Sequence, residues 1–85
     1  MKQPFNLIRE YVTESVNSWN EMQADNNTLI KIDVNEECES FTLWDDKDPE
    51  NFFPIGFLFQ GVQAMGYSYF FKWNETHKRV VMIIF

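Results

Sequence analysis

The chain has 85 residues, of which 13 are Asp or Glu and 7 are Lys or Arg, so its formal net charge is −6. This length predicts one small acidic domain over residues 1–85. The charge argues against direct binding to nucleic acid, because contact with phosphates needs a basic surface. Cys38 is the single cysteine, which excludes an internal disulfide and favours a reducing compartment such as the cytoplasm.

Two segments bear on targeting. The N-terminal residues 1–6 have no apolar run behind Lys2, so they do not resemble a signal peptide. Residues 52–71 carry no charge and are long enough to span a bilayer, but they include Pro54, three glycines and two glutamines. We therefore expect a cytoplasmic protein without a membrane contact.

The first predicted element is a helix over about Pro4 to Met22. Proline suits a first helical turn. Apolar side chains recur every three or four positions and mark one buried stripe. They are Phe5, Ile8, Val12, Val16 and Trp19. Asp25-Asn26-Asn27 predicts the loop that follows.

Two strands come next. Thr28 to Val34 alternates, with Ile30, Ile32 and Val34 on one face. Asn35-Glu36-Glu37 predicts a turn. Cys38 to Trp44 predicts the second strand, with Phe41 and Leu43 inward and Ser40, Thr42 and Trp44 outward. Cys38 is expected to be half-buried there.

The segment after the second strand can be interpreted in two ways. Asp48-Pro49-Glu50 resembles a helix start, but Pro54 would disrupt a helix begun there. The apolar spacing after it predicts a helix from about Pro54 to Met65, ended by Gly66. A strand over 54–60 is the alternative.

Two more strands, Tyr67 to Trp73 and Arg79 to Phe85, complete the chain around the turn Asn74-Glu75-Thr76-His77. The Asn-Glu steps of the two turns lie 39 residues apart. The order αββαββ predicts an α+β two-layer sandwich, in which two helices cover one face of a four-stranded antiparallel sheet.

The residues that could support catalysis are few. His77 is the only histidine and lies in a predicted turn. Cys38 has acidic neighbours, which oppose formation of the reactive thiolate. A zinc site would need more His or Cys than the chain contains. We therefore expect that the protein is not an enzyme and that it has no cofactor and no metal site.

The acidity is concentrated in residues 33–50, where eight carboxylates face only Lys47. A solvated, solubilising surface is one interpretation. The other is a surface that steers a basic partner and anchors it with the aromatic rings of Phe41, Trp44, Phe52 and Phe53. The partner-binding residues would be Glu36, Glu37, Glu39, Trp44, Asp45, Asp46, Asp48 and Glu50.

The last two strands are apolar on both faces. Either Tyr67, Tyr69, Phe71 and Trp73, or Phe70 with Val80, Met82 and Ile84, should point away from the helices. An exposed patch of this kind usually marks an interface. The predicted dimer or partner face consists of Tyr67, Tyr69, Phe71 and Trp73.

The step Glu39-Ser40-Phe41 resembles the Glu-Ser-hydrophobic step that uracil-DNA glycosylase inhibitors carry on an edge strand, and size and acidity are similar. The strand that precedes this step departs from that family's order, so the activity is not carried over.

The composition nevertheless favours a small acidic protein-binding module, in its narrowest form a phage-type inhibitor that mimics DNA charge and blocks a basic nucleic-acid-binding protein. The alternative is a homodimeric structural or chaperone-like subunit that binds a client protein through its sheet face. A third hypothesis is an enzyme that uses the carboxylates of residues 33–50 with Mg²⁺.

Overall fold

The computed structural model of the protein describes residues 2–22 and 27–85. It confirms the predicted α+β fold in the order αββαββ. The elements are α1 (Phe5–Met22), β1 (Ile30–Asn35), β2 (Ser40–Asp45), α2 (Phe53–Phe59), a 3₁₀ helix (Gln60–Met65), β3 (Tyr69–Asn74) and β4 (Arg79–Ile84). Of the loop predicted at 25–27, only Asn27 lies within the described residues.

The four strands form one antiparallel sheet in the order β1-β2-β4-β3. The strands β2 and β4 are therefore central, and β1 and β3 are the edges. Leu43 pairs with Met82, which in turn pairs with Phe71, so these three side chains share one face. Both helices pack on that face, and no described helix packs on the opposite face, where Val81 is nevertheless fully buried.

The core lies between the helices and this face. The long helix α1 contributes Ile8, Val12 and Val16, whose spacing of four places them on one side. The shorter α2 contributes Ile55 and Phe59. The sheet contributes Ile30, Phe41, Leu43, Met82 and Ile84.

The segment that sequence left open is helical. The helix α2 begins at Phe53 with Pro54 in its first turn, and the chain tightens into the 3₁₀ helix at Gln60. Gly61 near this transition has a low α-helix propensity. Gly66 ends the segment in the left-handed conformation, with φ of 88°. The uncharged stretch 52–71 is thus divided among three elements, and no helix within the described ranges is long and apolar enough to cross a membrane.

The two hairpin turns have the same geometry. The Asn35 side chain accepts a hydrogen bond from the Cys38 N–H at 3.0 Å. The Asn74 side chain accepts one from the His77 N–H at 2.9 Å. Each turn then ends in a residue with positive φ, Glu39 at 50° and Lys78 at 54°. The shared Asn-Glu step therefore reflects one turn structure used twice.

Two sequence-based expectations about the start of β2 need correction. Cys38 is exposed in the β1–β2 turn, because the turn occupies four residues and β2 begins only at Ser40. Glu39 belongs to the same turn. The strand β2 is central, so the Glu39-Ser40-Phe41 step does not lie on an edge strand.

Neither of the two expected outward sets points away from the helices as a group. Tyr69, Phe71 and Trp73 share the helix-covered face with their partners Ile84, Met82 and Val80. Phe70 does point away, but it pairs with Ile83, because cross-strand partners lie on the same face. Val81 and Phe85 lie on the same open face as Ile83, because alternate residues of a strand share a face.

Candidate functional site

The predicted acidic surface is divided by the strand that runs through it. One group of carboxylates lies in the β1–β2 turn and the other in the loop after β2. The six residues of β2 separate the two groups by about 20 Å. The first group is Glu36, Glu37 and Glu39, and the second is Asp46, Asp48 and Glu50. Charge that is continuous in sequence is therefore not one surface in space.

The first group is partly neutralised. Arg9 on α1 forms an ion pair with Glu36. Both side chains remain substantially exposed, so this pair contributes little to stability. Glu37 and Glu39 have no ion pair with any described residue.

Asp45 is a structural residue. Its side chain is buried, with 2% of its surface exposed. Oδ1 accepts the backbone N–H groups of Leu29 and Lys47 at 3.1 and 2.9 Å, and Oδ2 accepts the Asn51 amide at 3.0 Å. These bonds tie the end of β2 to the start of β1 and to the loop that leads to α2. Asp45 is therefore unavailable to a partner.

Trp44 lies on the open face of the sheet. The Arg79 guanidinium stands 3.9 Å from the centre of its ring, a cation–π contact. The indole N–H donates to Asp46 at 3.3 Å. Trp44 thus lies on a different face from the helices, next to the second acidic group.

The predicted aromatic face is divided into a buried and an exposed part. Tyr67 is 3% exposed, and its hydroxyl donates to the Gln3 carbonyl at 3.0 Å. Burial and the nearby Glu39 carboxylate raise the pKa of the Tyr67 phenol. Tyr69 is half-buried against the core. Phe71 and Trp73, further along β3, remain exposed.

An apolar groove connects this exposed part to α2. Its lining residues, which we call the aromatic groove, are Phe52, Phe53, Gly56, Phe57, Gln60 and Phe71, and its volume is about 280 Å³. The rings form two contacting pairs: Phe52 meets Phe71 edge-on with centroids 5.6 Å apart, and Phe53 stacks on Phe57 at 6.2 Å.

Gly56 is what allows the ring of Phe71 to approach α2. A Cβ at this position would lie 3.2 Å from the Phe71 ring, closer than ordinary van der Waals contact. On the other side of α2, a groove of about 490 Å³ shares Phe57 but includes the polar Glu14, Ser15 and Ser18. The aromatic groove differs from it in being lined by four phenylalanines.

Sequence reasoning named Phe41, Trp44, Phe52 and Phe53 as anchors. Phe41 is wrong, because it is buried in the core, and Phe57 was not singled out. The available signal was helical spacing. Phe53 and Phe57 are four residues apart, on a different side of the helix from the buried Ile55 and Phe59.

The residues considered for catalysis lie apart. Antiparallel pairing of β2 with β4 places the turn that contains Cys38 at one end of the sheet and the turn that contains His77 at the other. Both side chains are exposed. Within the described parts of the chain, no three His, Cys, Asp or Glu side chains are grouped as metal ligands.

Comparison with protein-family models, with curated proteins and with solved structures gave no significant match to this chain.

Proposed function

We propose that this protein is a binding module for another protein, and that its contact surface is the aromatic groove with the adjacent acidic loop, residues 46–50. The observation that carries the proposal is the exposure of contacting phenylalanines. Phe52, Phe53 and Phe57 are 55%, 71% and 61% exposed. Soluble monomers rarely leave contiguous apolar surface in water unless it binds something.

The acidic loop specifies the charge of the partner. Asp46, Asp48 and Glu50 are exposed and immediately precede the groove residue Phe52. Together with the net charge of −6, they attract a basic surface and speed its encounter with the groove. The rings then supply the buried contact, since aromatic anchors dominate the free energy of many interfaces.

The narrower form of the proposal is a phage-type inhibitor that mimics DNA charge on a nucleic-acid-binding protein. The acidic composition supports it. In this form the two acidic groups, about 20 Å apart, would meet two separate basic sites on one partner. The variant Asp46→Asn/Asp48→Asn should then weaken binding at least tenfold, and so should Glu37→Gln/Glu39→Gln. Binding unchanged in molar salt would contradict charge mimicry.

The groove is tested by two matched double variants. In Phe53→Ser/Phe57→Ser, two exposed rings are removed from the groove. In Phe70→Ser/Phe85→Ser, two exposed rings in mutual contact are removed from the open face of the sheet. We expect a partner captured from the source cell's lysate to bind the wild type and the open-face variant but not the groove variant. Equal thermal melts of the two variants would exclude unfolding as the cause.

A homodimeric structural or chaperone-like subunit is the second candidate. The observation that favours it is the contact of Phe70 with Phe85, 5.6 Å apart on the open face and 44% and 47% exposed. Sedimentation at tens of micromolar separates the two functions. We expect a monomer. A dimer that Phe70→Ser/Phe85→Ser dissociates, with client binding lost in parallel, would replace the first proposal.

A further inference from the structure

We propose that the partner enters the aromatic groove as an extended segment that pairs with the open edge of β3 as a fifth strand. The segment alternates apolar and polar residues and carries a basic side chain. This inference rests on the proposed function and specifies how the groove is filled. Strand addition to a sheet edge is an established mode of peptide recognition, in which backbone bonds give affinity and pockets for alternate side chains give specificity.

The hydrogen bonds between β3 and β4 show which backbone groups of β3 are available. Ser68 and Phe85 exchange both of their backbone hydrogen bonds, at 2.7 and 2.9 Å. In an antiparallel ladder the N–H and C=O groups of successive residues point to opposite sides. Those of Tyr69, Phe71 and Trp73 therefore point away from β4, to the open edge. No backbone bond outside the sheet reaches these three residues from the described ranges.

The same three residues direct their side chains to the helix-covered face. A fifth strand in register with β3 would direct every second side chain to that face as well. There the side chains would meet the aromatic groove, whose floor includes Phe71 and whose wall includes Phe53 and Phe57. A volume of about 280 Å³ is at the small end for a site that encloses a small molecule, and it suits one or two apolar side chains.

The two edges of the sheet differ in their protection. The edge strand β1 carries the exposed charges Lys31 and Asp33, a common device against pairing with other chains. In β3 the central stretch is Tyr-Phe-Phe-Lys-Trp, with Lys72 its only charge. The strand β3 is thus the edge that is suited to accept a strand.

The charge next to the groove determines the chemistry of the segment. The Pro49 carbonyl accepts the Val80 N–H at 2.7 Å, and Val80 pairs with Trp73. Because successive residues of the ladder alternate in direction, the Val80 N–H points away from β3, and Pro49 lies beside β4 on the β2 side; the acidic loop reaches the groove through Phe52, which contacts Phe71. An arginine or lysine of the segment would be attracted by this loop and by the net charge of −6, and the aromatic rings of the groove favour a cation as well.

A synthetic peptide on the intact protein tests the inference. The probe is a blocked octapeptide in which valine alternates with threonine and arginine. Its first control has N-methyl groups on the alternate amides that would face β3, which removes hydrogen bonds and keeps the side chains. Its second control has glutamate in place of arginine. Binding is followed by NMR titration and by hydrogen exchange of the Tyr69, Phe71 and Trp73 amides.

We expect these three amides to exchange rapidly in the free protein and at least tenfold more slowly with the probe. Both control peptides should bind at least tenfold more weakly. If the methylated peptide binds as well as the probe and Phe53→Ser/Phe57→Ser abolishes both, strand pairing is wrong while the groove function stands. If the probe peptide does not bind even at millimolar concentration, the strand-pairing inference is also wrong. The capture experiment from lysate would still test the groove as a contact surface. If the three amides become protected as the protein concentration rises, without any peptide, the inference is wrong and the edge of β3 pairs with a second copy of this chain.

Discussion

The first and second helix–strand–strand halves of the molecule share one hairpin turn but differ in how far their helices cover the sheet. In the first half, α1 has 18 residues and is about 27 Å long, more than the roughly 20 Å of a six-residue strand. In the second half, α2 has 7 residues and is about 10 Å long. The 3₁₀ helix that follows adds about 12 Å, so the second half covers the sheet with two short elements instead of one long helix, and Phe71 and Trp73 on the edge strand β3 remain exposed.

This difference assigns separate roles to the halves. In the first half, the inward side chains Ile30, Phe41 and Leu43 are buried, and α1 supplies three buried residues of its own. The second half contributes Phe59, Met82 and Ile84 to the same core but also holds the aromatic groove. Stability therefore draws on both halves, whereas the proposed contact surface belongs to the second.

The largest expected effect tests whether the short helix α2 contributes both to the core and to the proposed contact surface. Phe59 is fully buried, whereas Phe57, two residues earlier, is mostly exposed. Phe59→Ala should lower the free energy of unfolding by about 4 kcal/mol, because it leaves a cavity in the core. Phe57→Ala should change it by less than about 0.5 kcal/mol. Urea denaturation followed by circular dichroism measures both.

Since Phe59→Ala can leave a domain of this size unfolded, Phe59→Leu provides a milder test. It should lower stability by about 1 kcal/mol. Equal losses for Phe57→Ala and Phe59→Leu would mean that Phe57 is part of the core, and the separation between core and contact surface within α2 would be wrong.

The next effect concerns the junction between the halves. Asp45→Ala leaves the backbone N–H groups of Leu29 and Lys47 and the Asn51 amide without their acceptor in a partly buried setting. We expect a loss of about 3 kcal/mol. The matched control is Asp33→Ala, which removes an exposed carboxylate from β1 and should change stability by less than about 0.5 kcal/mol. Similar effects of the two substitutions would return Asp45 to the set of partner-binding candidates.

Periodicity predicted the elements well because burial of one face repeats in the sequence. The alternation of Ile30, Ile32 and Val34 and the four-residue spacing of Ile8, Val12 and Val16 both reflect contact with one core. The end of a strand is set instead by the turn, and a four-residue turn moved Cys38 out of β2. The helix over 54–65 was correct in extent, but tightening into a 3₁₀ helix has no strong sequence signal.

The candidate site was less predictable, because it depends on strand pairing. Eight acidic residues in one segment resembled one surface, yet β2 carries Glu39 and Asp46 to opposite ends of the sheet. Asp45 is buried because its carboxylate bonds to Leu29, which is 16 residues away in the chain, and to Asn51, which lies in the loop after β2. Phe57 could have been found by asking which helix positions remain after the core residues are assigned.

A smaller effect tests how the N-terminal segment is held to the second half. Tyr67→Phe removes the hydroxyl that donates to Gln3 and should lower stability by about 1 kcal/mol at neutral pH. The pKa of Tyr67 is raised by burial and by Glu39, from an ordinary value of 10.0. The unfolded chain therefore loses this proton first as the pH rises. The stability contribution is fully present below about pH 10 and is lost as the pH rises toward the folded pKa.

Urea titrations between pH 7 and pH 11 measure this dependence. The wild type should lose more stability above pH 10 than Tyr67→Phe does. Parallel decline of the two proteins would show that the Tyr67 phenol does not sense its burial.

The smallest effect tests the one feature that both halves share. Glu39 and Lys78 close the two turns with φ of 50° and 54°, a conformation that costs a side-chain-bearing residue about 1 kcal/mol and glycine much less. Substitution by glycine removes this cost, but part of the resulting gain in stability is offset, because glycine loses more conformational entropy on folding. Glu39→Gly and Lys78→Gly should therefore each raise the free energy of unfolding by about 0.5 kcal/mol.

Thermal and urea unfolding at high salt, where exposed charges are screened, compare the two on equal terms. Ala at the same positions is the control and should give no gain, since it keeps the Cβ. A gain in only one turn would show that the two hairpins differ in strain, and the comparison between the halves would then extend from their helices to their turns.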